Sequence, residues 1–168
     1  MKIDKSSIID FKRSKKYGYW TGSYRLTPLD EWAGWGLWKR RLYLFENIDL
    51  TFHHPQGYKI RPDKKFKTDM GSVPLFLQSL IPVLFAKDRW LREYIMHDSA
   101  YAHGGLWVAL NGCEDYTFLK MQRPQVDDLL SLTIKAGGGS CVSSGPIWLG
   151  VRAGGWASFK KGDLRKAA

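Results

Sequence analysis

The side chains best suited to chemistry in this sequence are two adjacent ones, His97 and Asp98. Their segment also carries apolar residues at helical spacing, namely Leu91, Tyr94, Ile95 and Ala102. With about 100 degrees of rotation per residue, Asp98 falls near the middle of this apolar stripe, and His97 lies on its flank with Tyr101 between them. A carboxylate in an apolar stripe is costly unless it is paired, hydrogen-bonded or bound to a cation. We therefore expect Asp98 to have a partner.

Three residues elsewhere in the chain are candidate partners for Asp98. Asp127 flanks the apolar stripe of a later helical segment, and Asp69 lies in a short polar turn. Arg152 is a cation within a stretch of small and apolar residues, and arginine makes strong bidentate contacts with carboxylates. The sequence therefore predicts a polar cluster built from distant parts of the chain.

The cluster permits two interpretations. If Asp69, His97 and Asp127 converge, they supply the oxygen and imidazole ligands that bind a divalent metal, zinc or a similar ion, with an open position for water. Asp98 would then be a further ligand or a general base, and hydrolysis would be the expected reaction. If Asp98 and Asp69 instead pair with Arg152 or cap helix termini, the same residues form a structural network at the junction of sheet and helices. The residues alone leave both interpretations open.

The segments that must position these residues are of two kinds. From about residue 17 to 66 the chain is aromatic and β-branched with frequent turn residues, which predicts a small N-terminal antiparallel sheet. Beyond Pro74 the spacing is helical. We expect one helix from an Asp88 N-cap to Gly104, a second from about Pro124 to the glycines at 137–139, and a third over 146–157 that is interrupted by glycine. This order predicts an α+β fold, with residues 1–168 as a single domain.

The charge is strongly positive, with a formal net charge of +10 that is concentrated near both ends of the chain. Residues 1–16 and 158–168 are expected to be basic, flexible tails. Such a charge favours encounter with nucleic acid, without sequence preference, or with anionic cell-wall polymers or an acidic partner. No apolar run suits a signal peptide or a membrane span, so we expect a protein that starts in a cytosol.

Four short motifs occur in a fixed order, at residues 66–74, 97–101, 123–127 and 151–155. Together they resemble the motifs of phage and prophage proteins called the domain of unknown function 1353 family, whose usual pattern reads F-x-T-D-G-A-S-V-P, H-D-x-L-Y, R-x-x-A-D and A-V-R-x-x-G. The resemblance covers roughly residues 52 to 155, and the chain departs from the pattern at Met70-Gly71, Ala100 and Val126. The positions matched by the pattern are Asp69, Ser72, His97, Asp98, Tyr101, Asp127 and Arg152.

The resemblance implies a bacteriophage accessory protein that resides in the host cytoplasm or is incorporated in the virion. The first functional expectation is a metal-dependent hydrolase of cell-wall polymer or peptide bonds, with Asp69, His97 and Asp127 as metal ligands. Its catalytic residues would be Asp98, Ser72, Tyr101 and Arg152.

The second expectation is a noncatalytic virion or assembly protein in which the Asp/His/Arg cluster is structural. Its partners would be other virion proteins, docked through the tryptophan-rich segment that contains Trp20, Trp32, Trp35 and Trp38. The His-Asp pair with a later helical aspartate also resembles, faintly, the His-Asp phosphohydrolases. That pattern needs an upstream histidine, which His53 or His54 would have to supply.

Overall fold

The structure, a computed structural model, describes residues 17–33, 40–69 and 90–154. Within these ranges the chain folds into two antiparallel sheets and three helices, so the predicted α+β class is confirmed. The expectations for the tails at 1–16 and 158–168 lie outside the described residues, as do those for Ser72, Trp35 and Trp38. The N-cap residue of the helix at Leu91–His103 is Trp90, so the predicted N-cap at Asp88 is wrong.

The larger sheet has five strands in the spatial order β1-β4-β5-β7-β8, and each neighbouring pair is antiparallel. Its strands are β1 Tyr19–Thr21, β4 Thr51–His54, β5 Tyr58–Arg61, β7 Gly105–Leu110 and β8 Thr117–Lys120. Side chains alternate between the two faces of a strand. Phe52, Ile60 and Val108 are buried on the face that packs against the helices, so Arg61 and Trp107 belong to the opposite face.

The smaller sheet has three strands in the order β2-β3-β6, with β2 Tyr24–Ala33, β3 Arg40–Asn47 and β6 Lys65–Thr68. β6 pairs with β3 only between Tyr43 and Glu46. The register of β2 against β3 shifts between Pro28 and Trp32, and beyond that irregularity the two strands continue as a pair. This outer part of the β2–β3 pair extends past the region that β6 covers.

The helices are α1 Leu91–His103, α2 Arg123–Ala136 and α3 Cys141–Gly154. α1 ends as predicted because Gly104 adopts a left-handed conformation with φ 72, which glycine tolerates without a steric penalty. α2 begins with a capping box formed by Gln122 and Gln125, and it carries a proline in its first turn as expected. Within the described chain, no helix is both long and apolar enough to cross a membrane.

α1 is the centre of the molecule, because it contributes to all three hydrophobic clusters. Met96 packs with the larger sheet and α2, Tyr94 packs with α2 and α3, and Ile95 packs with the smaller sheet. Every residue from Glu93 to Ala102 is buried. The sequence predicted one buried, apolar stripe on this helix, whereas in the structure other elements cover α1 on all sides. His97 and Asp98 therefore lie at the junction of every layer of the fold.

Two details of the predicted layout are wrong. The second half of the chain was expected to be helical, but β7 and β8 lie between α1 and α2 and complete the larger sheet. The third helix begins at Cys141 rather than near Pro146, and it continues through Gly150. Pro146 and Gly150 have poor helix propensity, but the burial of Ile147 against Trp90 and Leu130 outweighs that cost.

Candidate functional site

The carboxylate of Asp127 on α2 is the hub of the predicted polar cluster. Its side chain is 0% exposed. Tyr101 donates a hydrogen bond of 2.6 Å from its hydroxyl to Asp127 Oδ1, and His97 Nε2 lies 3.4 Å from the same oxygen. Arg152 Nη1 is 3.3 Å from Oδ2, and Arg123 Nε is 3.6 Å from it. The partners of Oδ1 therefore come from α1, and those of Oδ2 come from α3 and from α2 itself.

His97 on α1 lies between two carboxylates. Its Nε2 faces Asp127, and its Nδ1 is 3.8 Å from Asp98 Oδ1. Burial lowers the pKa of His97, but the interactions with Asp127 and Asp98 together raise it by a larger amount. The pKa of His97 is therefore raised above its ordinary value. The pKa of Asp127 is lowered: burial raises it, and the contacts with His97, Tyr101 and Arg152 outweigh that effect. Both shifts favour the ion pair.

Asp98 is buried, as the helical wheel predicted, with 5% of its surface exposed. Its Oδ2 accepts a hydrogen bond of 2.5 Å from the hydroxyl of Thr68, the last residue of β6. A hydrogen bond to an ionised acceptor is shorter and stronger than one between neutral groups. This contact ties the smaller sheet to α1, and it was not among the partners that the sequence suggested.

The two arginines of the cluster connect α2 to α3. Arg123 Nη2 donates a hydrogen bond of 3.1 Å to the carbonyl oxygen of Val151 and another to that of Arg152. These carbonyls belong to the last turn of α3, where backbone acceptors lack partners within the helix and attract cations. Arg152 also lies over the ring of Trp148, with its guanidinium carbon 5.3 Å from the ring centroid.

The structure brings together five of the seven predicted site residues, namely His97, Asp98, Tyr101, Asp127 and Arg152. Asp69 is buried and follows Thr68 at the end of β6, while Ser72 lies outside the described residues. Among the described residues, no group of three or more His, Cys, Asp and Glu side chains could hold a metal ion. The metal set of Asp69, His97 and Asp127 stays a prediction.

Two members of the cluster were missed by sequence reasoning. Arg123 lies four residues before Asp127 on one helix, and this i,i+4 spacing is a signal that could have identified it. Thr68 gave no such signal, because its contact with Asp98 spans thirty residues of sequence and depends on the docking of β6 against α1.

His53 and His54, the candidates for an upstream metal-binding histidine, both lie on β4. The ring of His53 stacks on that of Tyr19 at 4.4 Å, and its Nε2 is 2.9 Å from Thr21 Oγ1. His54 packs near Phe52 and Tyr58, and burial lowers its pKa to about 4. These contacts lie on strands of the larger sheet, so the resemblance to His-Asp phosphohydrolases gains no support from them.

Comparisons of this chain with protein-family models, with curated proteins and with solved structures found no match. The fold and the site define the chain as an α+β protein with a buried Asp/His/Arg cluster at the junction of its layers.

Proposed function

We propose that this chain is a noncatalytic phage accessory protein, a virion or assembly component, in which the Asp/His/Arg cluster is structural. The observation that carries this proposal is the number of partners around the buried carboxylate of Asp127. Its two oxygens are engaged by Tyr101, His97, Arg152 and Arg123, and its side chain is 0% exposed. A carboxylate with this many partners and no solvent contact is suited to holding helices together. The phage origin rests on the resemblance of the four motifs.

The energetics of burial support the same conclusion. Removing one partner of a buried ion pair costs about 3–5 kcal/mol, because an uncompensated charge stays behind. In this cluster such a loss would affect α1, α2 and α3 together, since each contributes a charged or hydroxyl group. The cluster therefore acts as a shared anchor for the helical layer.

The outer part of the β2–β3 pair supports a role in contacts between proteins. Trp32 lies there with 54% of its surface exposed, opposite Arg41 in the register. Large exposed aromatic side chains are enriched where protein partners bind. We propose that this part of β2 and β3 contacts other virion proteins, with the chain made in the host cytoplasm and incorporated in the virion.

The test is the Asp127→Asn variant, measured by chemical denaturation and compared with Asp115→Asn at an exposed position. A structural role predicts that Asp127→Asn lowers the free energy of unfolding by about 3 kcal/mol or more, and that Asp115→Asn changes it by less than about 0.5 kcal/mol. An Asp127→Asn variant that is as stable as the parent would reject the structural role.

A metal-dependent hydrolase of cell-wall polymer or peptide bonds is the second candidate, because His97 lies within 4 Å of two carboxylates. The residues present do not fit a divalent ion at Asp127, since Arg152 and Arg123 occupy the side of Oδ2. Mass spectrometry of protein purified with added zinc would test this candidate. Bound zinc in the parent that is lost in His97→Ala would favour the hydrolase.

A further inference from the structure

A concave pocket of about 690 Å³ lies apart from the Asp/His/Arg cluster, beside the outer face of the larger sheet. Its lining includes two cations, two aromatic residues, an amide and an acid, namely Arg61, Lys64, Trp107, Tyr116, Asn47 and Asp63. Arg61 on β5 and Trp107 on β7 are direct partners in the register. The volume falls in the range of small-molecule sites, which is about 300–1,000 Å³.

Two contacts hold the guanidinium of Arg61 in place. Its Nε donates a hydrogen bond of 2.7 Å to Thr51 Oγ1, and its carbon lies 4.3 Å from the ring centroid of Tyr116. In the parts of the chain that the structure describes, neither Nη atom has a hydrogen-bond or ion-pair partner. The nearby acid Glu114 is paired with Lys59 at 2.5 Å. An ordered guanidinium with free donors is suited to binding an oxyanion.

The pocket wall also contains one acid, Asp63, so the charged side chains in its lining carry a net charge of +1. Asp63 Oδ1 accepts a hydrogen bond of 2.6 Å from the backbone N–H of Lys64, and its Oδ2 is 3.7 Å from His103 Nε2. The side chain of Lys64 is exposed, and within the described ranges it forms no ion pair. The pocket therefore presents a guanidinium and an ammonium group to a ligand.

Aromatic rings lie beside these cations. Trp107 is half-buried, and its ring contacts Phe118 of β8 at 5.5 Å with the ring planes at 70°. Further along the same face of the sheet, Tyr19 is 59% exposed and stacks on His53. β1 and β7 are separated by two strands, so Tyr19 and Trp107 are about 14 Å apart across the sheet. Basic and aromatic side chains that alternate on an open sheet face are the usual platform for single-stranded nucleic acid.

We propose that this pocket binds a nucleotide unit of single-stranded nucleic acid. Arg61 and Lys64 contact the phosphate, a base stacks beside Trp107 and Tyr116, and the net charge of +10 attracts the polymer. Paired bases in a duplex are not free to stack on the wall, and an uncharged glycan gives the two cations no ligand. The proposal uses no residue of the Asp/His/Arg cluster, so it stands or falls independently of the function proposed above.

The test is fluorescence anisotropy of a labelled twelve-nucleotide thymidine oligomer with the full chain at low salt. Arg61→Gln is compared with Arg41→Gln, which removes the same charge at the far end of β3. Arg61→Gln should weaken binding about tenfold or more, and Arg41→Gln less than about twofold. Tyr116→Ala should weaken binding about tenfold while Tyr116→Phe, which keeps the ring, stays within about twofold.

Because a variant inside the pocket could unfold, Lys64→Gln at its exposed rim provides a second measurement, with an expected loss of about threefold. Equal losses from Arg61→Gln and Arg41→Gln would overturn the proposal, because they would show attraction by net charge alone. Equally strong competition by unlabelled duplex, or displacement of the oligomer by soluble cell-wall glycan, would overturn it too. An absence of binding by the parent chain at low salt would have the same consequence.

Discussion

Glu93 on α1 should control how the stability of this protein depends on pH. Its side chain is 2% exposed, and a Cβ atom added to Gly137 would lie 2.7 Å from its Oε1. The carboxyl group is therefore enclosed between α1 and the C-terminal end of α2. Burial raises the pKa of Glu93 from 4.5 to about 7, against the weaker opposing effects of its own backbone N–H and of Arg92.

The sign of the effect follows from which state binds the proton more tightly. Folding raises the pKa of this acid, so the folded protein holds the proton between pH 4.5 and about 7 while the unfolded chain releases it. The stabilisation is complete below pH 4.5 and is lost as the pH rises through about 7. The two pKa values differ by about 2.5, which corresponds to about 3 kcal/mol.

The perturbation is Glu93→Gln, which keeps the shape of the protonated side chain and cannot ionise. Urea denaturation at several pH values should show that the variant gains about 3 kcal/mol relative to the parent between pH 4.5 and pH 8. Glu31→Gln, at an exposed position on β2, controls for the loss of a surface carboxylate. A gap between Glu93→Gln and the parent that is the same at pH 5 and pH 8 would refute the reasoning.

Three further predictions test the cluster and the sheet. The interactions with Asp127 and Asp98 raise the pKa of His97. The stability that protonated His97 contributes to the fold is therefore present below pH 6.5 and is lost as the pH rises through the folded pKa. His97→Gln should therefore lower the free energy of unfolding more at pH 6 than at pH 9. An imidazole pKa of His97 below 6.5 in an NMR titration would contradict this. Thr68→Val removes the hydroxyl that donates to Asp98 and should cost about 1.5–3 kcal/mol in denaturation experiments, whereas Thr68→Ser should recover most of the loss. Gly105→Ala would place a Cβ 2.2 Å from a backbone carbonyl oxygen of β8 and should lower the free energy of unfolding by about 2 kcal/mol. Gly145→Ala in α3 meets no atom within 4 Å and should be neutral or stabilising by up to about 1 kcal/mol, so equal losses at the two glycines would argue against the predicted clash.

The fold class could be predicted because the periodicity of apolar residues differs between strands and helices. The end of α1 at Gly104 and the start of α2 beside Pro124 follow from local backbone chemistry, and both are confirmed. β7 was missed because a short apolar run after a helix does not by itself distinguish a strand from a helical segment. Its pairing with β5 and β8 gives the run its strand conformation.

The candidate site, like the fold, was only partly predictable from the sequence. Burial of Asp98 could be predicted from its place on the apolar stripe of α1, and that expectation is confirmed. The sequence suggested Asp98 and Asp69 as the partners of Arg152, and this is wrong, because the structure pairs Arg152 with Asp127. Packing of α3 against α2 brings Arg152 to Asp127.

By itself, the sequence determined the properties that depend on neighbours along the chain: the net charge, the helix ends and the need of Asp98 for a partner. The tertiary structure alone decided which partners meet, because hydrogen bonds and ion pairs form over about 3 Å and depend on how whole elements pack. Thr68 and Asp98, thirty residues apart, are joined only when β6 docks against α1. The outer face of the larger sheet likewise exists only after β5 and β7 have paired across more than forty residues.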